Sequence, residues 1–317
     1  CKMEKPSNTI VSIIIVTCGK QDYLQKCLAS CLKQTIQDFE LIVIDNSSQV
    51  AFGQGIRKLY PPVKLFKGPL SYCESLNQGI NDSCGEYIFA LNDDVTLECG
   101  YIEQALKAIS QDKKIGMVSG KILRSDARTI DTTGLFLSYW RTAKERGYGK
   151  IDCGQYEKPE YVFGVNGAVL FYRKKMLEEI KEPEGYFDPA FHVFYEDLDL
   201  AWRAQRAGWK AYYTPAAIAY HVRGGSFRLE SKGIGKPFAR RYLSQERHLD
   251  LIKNRYLAII KNEKFFAFIL HLPGIILFEL LQWGYCIIHS PHLIVLFLHK
   301  MKYFPAAFRK RKLPLRR

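Results

Sequence analysis

The sequence predicts an α/β fold built on a mainly parallel sheet, and three observations carry that prediction. Two short runs, Val11-Ser12-Ile13-Ile14-Ile15-Val16-Thr17 and Glu40-Leu41-Ile42-Val43-Ile44, are apolar at nearly every position, the pattern of strands covered on both faces. Between them Leu24, Cys27, Leu28, Cys31 and Leu32 recur at helical spacing. The same strand, helix, strand unit then repeats downstream, and such alternation specifies parallel strands joined by right-handed crossovers.

The first helix is expected over roughly 22 to 33, opened by Asp22 with Gln25 three residues on, a capping-box spacing. The second strand runs straight into Asp45-Asn46-Ser47-Ser48. A strand near Val63 to Phe66, a helix near Ser71 to Asn81 and a strand Tyr87 to Leu91 follow, the last ending in Asn92-Asp93-Asp94. Next come a helix near Glu98 to Ser110 and a strand near Met117 to Ser119. The mixed, glycine-containing stretch from about Lys121 to Glu160 shows no periodicity that assigns it. Gly167 to Tyr172 reads as a strand, and Asp197 to Ala207 as a helix with Leu198, Ala201, Trp202 and Gln205 on one side and Gly208 as its stop. A strand Ala211 to Thr214 and an apolar approach, Ile218-Ala219-Tyr220, lead to His221. Ligands of such sheets bind beyond the carboxyl ends of the strands, where Thr17, Asp45, Asp93 and Asp94 fall.

Composition narrows the class. At 317 residues with 47% hydrophobic and 25% charged side chains, the chain buries a large core and is not disordered. Nine cysteines without a C-x-x-C pair argue against a zinc ribbon or a disulfide framework and suit a reducing compartment. Cys1 to Pro6 shows no apolar signal region, so a cytosolic body is expected. Of the net charge of +14, residues 264 to 317 supply +8, with nine Lys or Arg against Glu279 alone. That basic end is also the most apolar part of the chain, which points to an anionic membrane surface and not to nucleic acid. Its apolar segments, 265 to 272, 274 to 289 and 292 to 304, are parted by Pro273 and Pro291, and each is shorter than the roughly 20 residues of a spanning helix. Interfacial helices are therefore expected, the more so because Glu279 would be costly at mid-bilayer, with a single kinked helix across 265 to 288, or helices that complete the soluble core, as the alternatives.

Three groups could carry chemistry. Asp93 and Asp94 offer hard oxygen ligands at a sheet edge, suited to Mg²⁺ or Mn²⁺, although a turn with a helix cap uses the same residues. Glu196, Asp197 and Asp199 open one helix, where capping and the helix dipole favour acids, but three in four residues exceed that need. His221 ends an apolar run and precedes a basic, glycine-containing segment with Arg223, Arg228, Lys232, Lys236, Arg240 and Arg241, readable as a solvated loop or as a lid over phosphates.

Taken together, these motifs resemble glycosyltransferase family 2, the inverting enzymes of GT-A fold, and within it the rhamnosyltransferase-like branch. The segments at 11 to 17, 28 to 35 (L-A-S-C-L-K-Q-T) and 39 to 48 (F-E-L-I-V-I-D-N-S-S) are similar to the family's nucleotide-binding half. N-Q-G-I-N at 77 to 81 and L-N-D-D-V at 91 to 95 are similar to its approach to a metal site. The segment 185 to 209, G-Y-F-D-P-A-F-H-V-F-Y-E-D-L-D-L-A-W-R-A-Q-R-A-G-W, is the most specific match, and H-V-R-G-G-S-F at 221 and K-N-R-Y-L at 253 fit as well. The resemblance implies that Asp45 accepts the N3 proton of uracil or thymine, with Thr17 beside the base. It implies that Asp94 and His221 hold Mn²⁺ or Mg²⁺ on the donor diphosphate, that Asp93 lies near the sugar or metal, and that Asp197 is the catalytic base, with Glu196 its nearest substitute. Asp199, Trp202 and Arg223 are further acceptor or loop candidates, and the 121 to 160 stretch would carry acceptor-facing loops. Asn92 stands where the family's D-x-D has its first acid, which leaves fewer carboxylates for a metal.

The expected organisation is a catalytic domain over 1 to 245, with a nucleotide-sugar half to about 120 and an acceptor half beyond, then a helical, basic, membrane-associating region over 246 to 317. The implied reaction moves a sugar from dTDP-rhamnose or a UDP-hexose to a lipid-linked or cell-surface glycan at the inner face of the cell membrane. A sugar-1-phosphate nucleotidyltransferase is the rival, but Thr17-Cys18-Gly19-Lys20 has one glycine where a triphosphate loop needs several. An inactive membrane-associated scaffold is the other alternative.

Overall fold

The computed structural model describes residues 10–48, 50–69, 71–222 and 244–311. The first half alternates as its sequence dictates: β1 (Val11–Thr17), α1 (Gln21–Leu32), β2 (Phe39–Asp45), α2 (Val50–Leu59), β3 (Lys64–Lys67), α3 (Tyr72–Asn81), β4 (Tyr87–Asn92), β5 (Val95–Leu97) and α4 (Tyr101–Ser110). The second half runs β6 (Ile115–Arg124), β7 (Ile130–Thr132), β8 (Leu135–Leu137), β9 (Ala143–Glu145), β10 (Glu160–Val162), β11 (Val169–Arg173), α5 (Lys174–Glu179), α6 (Glu196–Arg206) and β12 (Lys210–His221). Four helices close the described chain: α7 (Gln245–Asn262), α8 (Phe265–His289), α9 (His292–Lys300) and α10 (Phe304–Arg311).

One sheet of order β10-β12-β6-β11-β4-β1-β2-β3 organises the molecule, with β5 added to β12 and β7 to β6. Strands β3, β2, β1 and β4 are parallel, as are β6 and β12, while β11 runs antiparallel between β4 and β6. Alternate residues of the central strands feed two cores. Ile14 and Ile42 pack with Leu76, Leu198 and Leu257, while Ile13, Ile15 and Val43 pack with Leu24, Leu28 and Tyr101. Helices therefore cover both faces, which is why those strands read as unbroken apolar runs.

Several elements depart from expectation for identifiable reasons. Helix α2, absent from the sequence reading, carries Gly53 and Gly55, which weaken the helical signal. A Cβ on Gly53 would sit 3.3 Å from Leu65 and 3.6 Å from Oδ2 of Asp45, so the glycine lets the helix approach that carboxylate. Strand β12 is continuous where two pieces were read, because the register shift between Thr214 and Ile218 accommodates Pro215 as a bulge. Helix α4 starts three residues late, since Val95–Leu97 is spent on pairing with β12.

The C-terminal region requires a correction. Pro273 does not divide the apolar stretch: α8 is one helix of 25 residues, long and apolar enough by length and composition to cross a membrane. The helix survives its proline because the disrupted turn is docked. The Tyr139 hydroxyl donates to the Leu270 carbonyl at 3.2 Å, and Gly274 lies so close to the Tyr139 ring that a Cβ would be 2.4 Å from it. Glu279 faces the domain, paired with Arg255 and with the Tyr256 hydroxyl.

Candidate active site

Strand register brings the expected donor-side residues together. Thr17 lies opposite Asp45 across β1 and β2, Val16 opposite Asn92 across β1 and β4, and Asp45 opposite Lys67 across β2 and β3. The Thr17 hydroxyl donates to Oδ2 of Asp93 at 2.7 Å and accepts from the Gly19 N–H at 3.1 Å. Burial pushes the Asp93 carboxyl up, with the Thr17 bond acting against it and the charge of Asp94 adding to it. Asp45 accepts from the Ser47 N–H at 2.7 Å, and its other oxygen lies 3.5 Å from the Lys67 ammonium.

The neighbouring carboxylate meets the end of β12. Pairing of His221 with Val95 sets the imidazole beside Asp94, and Nε2 is 3.2 Å from Oδ1. Nδ1 is fixed by Asp131 of β7, a fully buried carboxylate 2.9 Å away. Burial alone would lower the His221 value, but hydrogen bonds to Asp131 and Asp94 outweigh it and raise it to about 9. Oδ1 of Asp94 is buried, with the His221 ring as its close neighbour. Among the described residues, no group of three or more His, Cys, Asp or Glu side chains is arranged to hold a metal. The site offers two ligands, Asp94 and His221, with Asp131 orienting the second as carboxylates orient metal-binding imidazoles.

The second acidic group stands at the start of α6. Asp197 accepts from the Gly167 N–H at 2.8 Å and from the Leu198 N–H at 2.7 Å. Glu196 is buried, and burial followed by the charge of Asp197 pushes its carboxyl well up. A Cβ on Gly167 would lie 3.2 Å from both Oδ2 of Asp197 and Oε1 of Glu196, so glycine is what admits the two carboxyls there. Tyr72 ties this group to the donor side: its hydroxyl lies 3.0 Å from Oδ1 of Asn92 and 2.8 Å from the Gly167 carbonyl.

The loop leading into α6 is strained. His192 has φ 62° and ψ −65°, with the Val193 N–H donating to the Phe191 carbonyl at 2.6 Å, an i to i+2 turn. Phe194 and Tyr195 follow at φ 69° and 67°. Each such non-glycine residue costs on the order of 1–3 kcal/mol, and strain of this kind concentrates where a side chain must be aimed.

Two acceptor candidates sit elsewhere. Asp199 is turned into a buried ion cluster with Arg203 at 2.9 Å and Lys261 at 3.0 Å. Trp202 packs edge-on against Phe163 in the core and is buried. Neither is open to an acceptor, because both lie on the inward faces of α6. Arg223 and the basic segment to Arg241 lie outside the described residues. Sequence reading missed Asp131 and Tyr72. Asp131 had one signal, a lone acid within Thr129-Ile130-Asp131-Thr132-Thr133; Tyr72 had none.

The family model "Glycosyl transferase family 2" matches residues 12–180. An uncharacterised protein, y4gI of Sinorhizobium fredii, is 27% identical over 234 residues, covering 68% of this chain and 25% of its own length. The N-acetylglucosaminyl-diphospho-decaprenol L-rhamnosyltransferase of Mycobacterium tuberculosis is 24% identical over 243 residues, covering 68% of this chain and 77% of its own. The chain thus spans a quarter of one relative and about three quarters of the other. Among solved structures, GalNAc-T7 with UDP, GalNAc and Mn²⁺ superposes with a TM-score of 0.60 at 16% identity, covering 80% of this chain and 49% of that one, a likeness of fold. With more than half its length matched by the family model and a GT-A sheet beneath the matching residues, the chain belongs to glycosyltransferase family 2.

Proposed function

We propose that the protein transfers a sugar from a nucleoside diphosphate donor to an acceptor hydroxyl, inverting the anomeric carbon in one displacement. The observation that carries this reading is the pairing of two acidic groups, Asp94 with His221 and Asp197 with Glu196, joined through Asn92, Tyr72 and Gly167. Asp45 and Thr17 bind the base and ribose side. Asp94 and the oriented His221 nitrogen, 3.2 Å apart and buried, would be the two protein ligands of a divalent cation, Mn²⁺ or Mg²⁺, with the rest of its ligands taken from phosphate and water. When bound, such a cation supplies charge neutralisation to the diphosphate.

Asp197 takes the proton of the acceptor hydroxyl as its oxygen bonds to the anomeric carbon and the bond to the diphosphate breaks. Glu196, pushed up by burial and by its neighbour, holds its proton the more tightly, and Asp197, oriented by the Gly167 and Leu198 N–H groups, acts as base. The rhamnosyltransferase relative supports dTDP-rhamnose as donor, with UDP-hexoses next, and a polyprenyl diphosphate-linked saccharide as acceptor.

Thermal shift tests the donor side. With Mn²⁺ and excess dTDP or UDP, binding stabilises the native state by about 2.7 kcal/mol at a hundredfold excess over Kd. Asp45→Ala should weaken this at unchanged metal dependence, and Asp94→Ala should remove the part that Mn²⁺ adds. Failure of every nucleotide to raise the unfolding temperature would sink the reading, and full stabilisation in EDTA would sink its metal part.

We place the enzyme on the cytoplasmic face of the membrane through α8. One stripe of this helix, Gly274, Ile275, Gln282 and Cys286, is buried against the domain, and Glu279 is paired inward. The other presents Phe266, Leu270, Leu277, Leu281 and Ile288. A helix bonded to the domain from Leu270 to Cys286 is suited to lie along a bilayer surface, with Lys264, Lys302 and Arg309 available to anionic headgroups. Phe266→Ser, Leu281→Ser and Ile288→Ser together should abolish sedimentation with phosphatidylglycerol vesicles. Sedimentation of the unaltered protein that withstands both high salt and alkaline carbonate would instead mark α8 as a spanning helix.

A further inference from the structure

The strained turn before α6 is held by a helix that lies outside the stretch matched by the family model. Asn254 of α7 is fully buried, and its Nδ2 reaches three carbonyls of that turn: Phe191 at 2.8 Å, Val193 at 2.7 Å and Phe194 at 2.7 Å. Its neighbour Lys253 donates to the Ala190 carbonyl at 2.6 Å. One side-chain amide thus spans three carbonyls that the left-handed residues bring together, of which that of Phe191 also accepts from the Val193 N–H. One turn earlier on α7, Asp250 accepts from the His192 ring at 3.1 Å. Glu196 and Asp197 begin immediately after the turn, and the chain leaves it through Tyr195 in the left-handed conformation, with Asp197 accepting from the Gly167 N–H.

We infer that Asn254, supported by Lys253, is a positioning residue that aims the Glu196–Asp197 pair at the reacting centre by locking residues 191 to 195. A structural asparagine would satisfy one or two groups of its own helix or a neighbour. Asn254 shares its two N–H donors among three carbonyls of the turn, and the turn has no glycine with which to relax. The sequence run K-N-R-Y-L at 253 thereby acquires a role distinct from donor binding, since neither Asn254 nor Lys253 bonds to a donor-side residue in the described structure.

This inference rests on the reading of Asp197 as base, and the test separates the two. The full-length protein and its Asn254→Ala variant are compared by amide hydrogen exchange at Gly167, whose N–H reports directly on Asp197, by affinity for dTDP with Mn²⁺, and by release of dTDP from dTDP-rhamnose. Expected in the variant are about tenfold faster exchange at Gly167, dTDP affinity within about twofold of wild type, and a ten- to hundredfold lower kcat without a matching rise in KM. Adding His192→Gly, which lets the turn adopt its backbone angles without strain, should recover part of the exchange protection and of kcat. Wild-type exchange at Gly167 in a folded Asn254→Ala protein overturns the inference whatever the donor proves to be, as does loss of kcat only in proportion to loss of dTDP affinity. If Asn254→Ala does not fold, Lys253→Met removes the Ala190 bond together with the Asp250 ion pair and must move Gly167 exchange in the same direction. Should Asp197→Asn leave turnover intact, the base assignment fails while the exchange result still decides whether Asn254 positions the pair.

Discussion

Asp197→Asn is expected to lower turnover by about a hundredfold or more, within the 10²–10⁴ range that a positioned base contributes, while affinity for the nucleoside diphosphate stays nearly intact. The amide is isosteric but cannot accept the acceptor's proton, so only the transfer is removed. Both carboxylate oxygens accept backbone N–H bonds, from Gly167 and from Leu198, and an amide can satisfy one of them with its carbonyl. A stability loss of about 1–3 kcal/mol accompanies the substitution, so turnover must be referred to folded protein. The loss should fall on kcat and kcat/KM alike, the pattern of an interaction made in the transition state. Unchanged turnover would move the role to Glu196. Asp199 is not a substitute, because its oxygens are spent on Arg203, Lys261 and Asn262.

The donor-side row was legible because strands buried on both faces leave few readings. Once Val11–Thr17, Phe39–Asp45 and Tyr87–Asn92 are taken as neighbouring parallel strands, Thr17, Asp45 and Asn92 must emerge at one edge. What could not be read was the partner of His221. Asp131 comes from a three-residue strand inside a stretch without periodicity, and its meeting with His221 depends on β7 and β12 flanking β6, a long-range pairing with no local signal. Helix α2 was hidden by its glycines, and Pro273 was read as a break although Tyr139 docks the turn that contains it. The spacing of Asp199 from Arg203 did hold information: an acid four residues before a base on one helix is an ion pair, and here it is an inward one.

That ion pair belongs to the cluster with the largest expected effect on stability. Lys261, almost wholly buried on α7, lies 2.9 Å from Glu182, 2.8 Å from Asp188 and 3.0 Å from Asp199. Arg203 also serves Asp199, and Lys310 of α10 reaches Asp188 at 2.8 Å. Lys261→Met keeps the apolar stem and removes the charge, stranding three buried acids with fewer cations than they need. Breaking a buried pair from one side costs about 3–5 kcal/mol, and urea unfolding at pH 7 should show a loss of that order. The pH dependence identifies the cause. Burial would raise the Asp188 and Asp199 carboxyls, but the charge of Lys261, joined by Lys310 at Asp188 and by Arg203 and the Asn262 hydrogen bond at Asp199, outweighs it and holds both below the usual carboxylate range. In the wild type, their folded values lie below the unfolded one near 3.9, so the stability they contribute is present above about pH 4 and is lost as the pH falls toward those folded values. In the variant the balance reverses: burial without Lys261 raises the same carboxyls, the native state binds protons more readily than the unfolded chain, and acid relieves it. The difference in unfolding free energy between wild type and Lys261→Met should therefore shrink steadily from pH 7 to pH 4. A difference that stays constant over that range would mean that the lysine acts through packing of its stem and not through its charge.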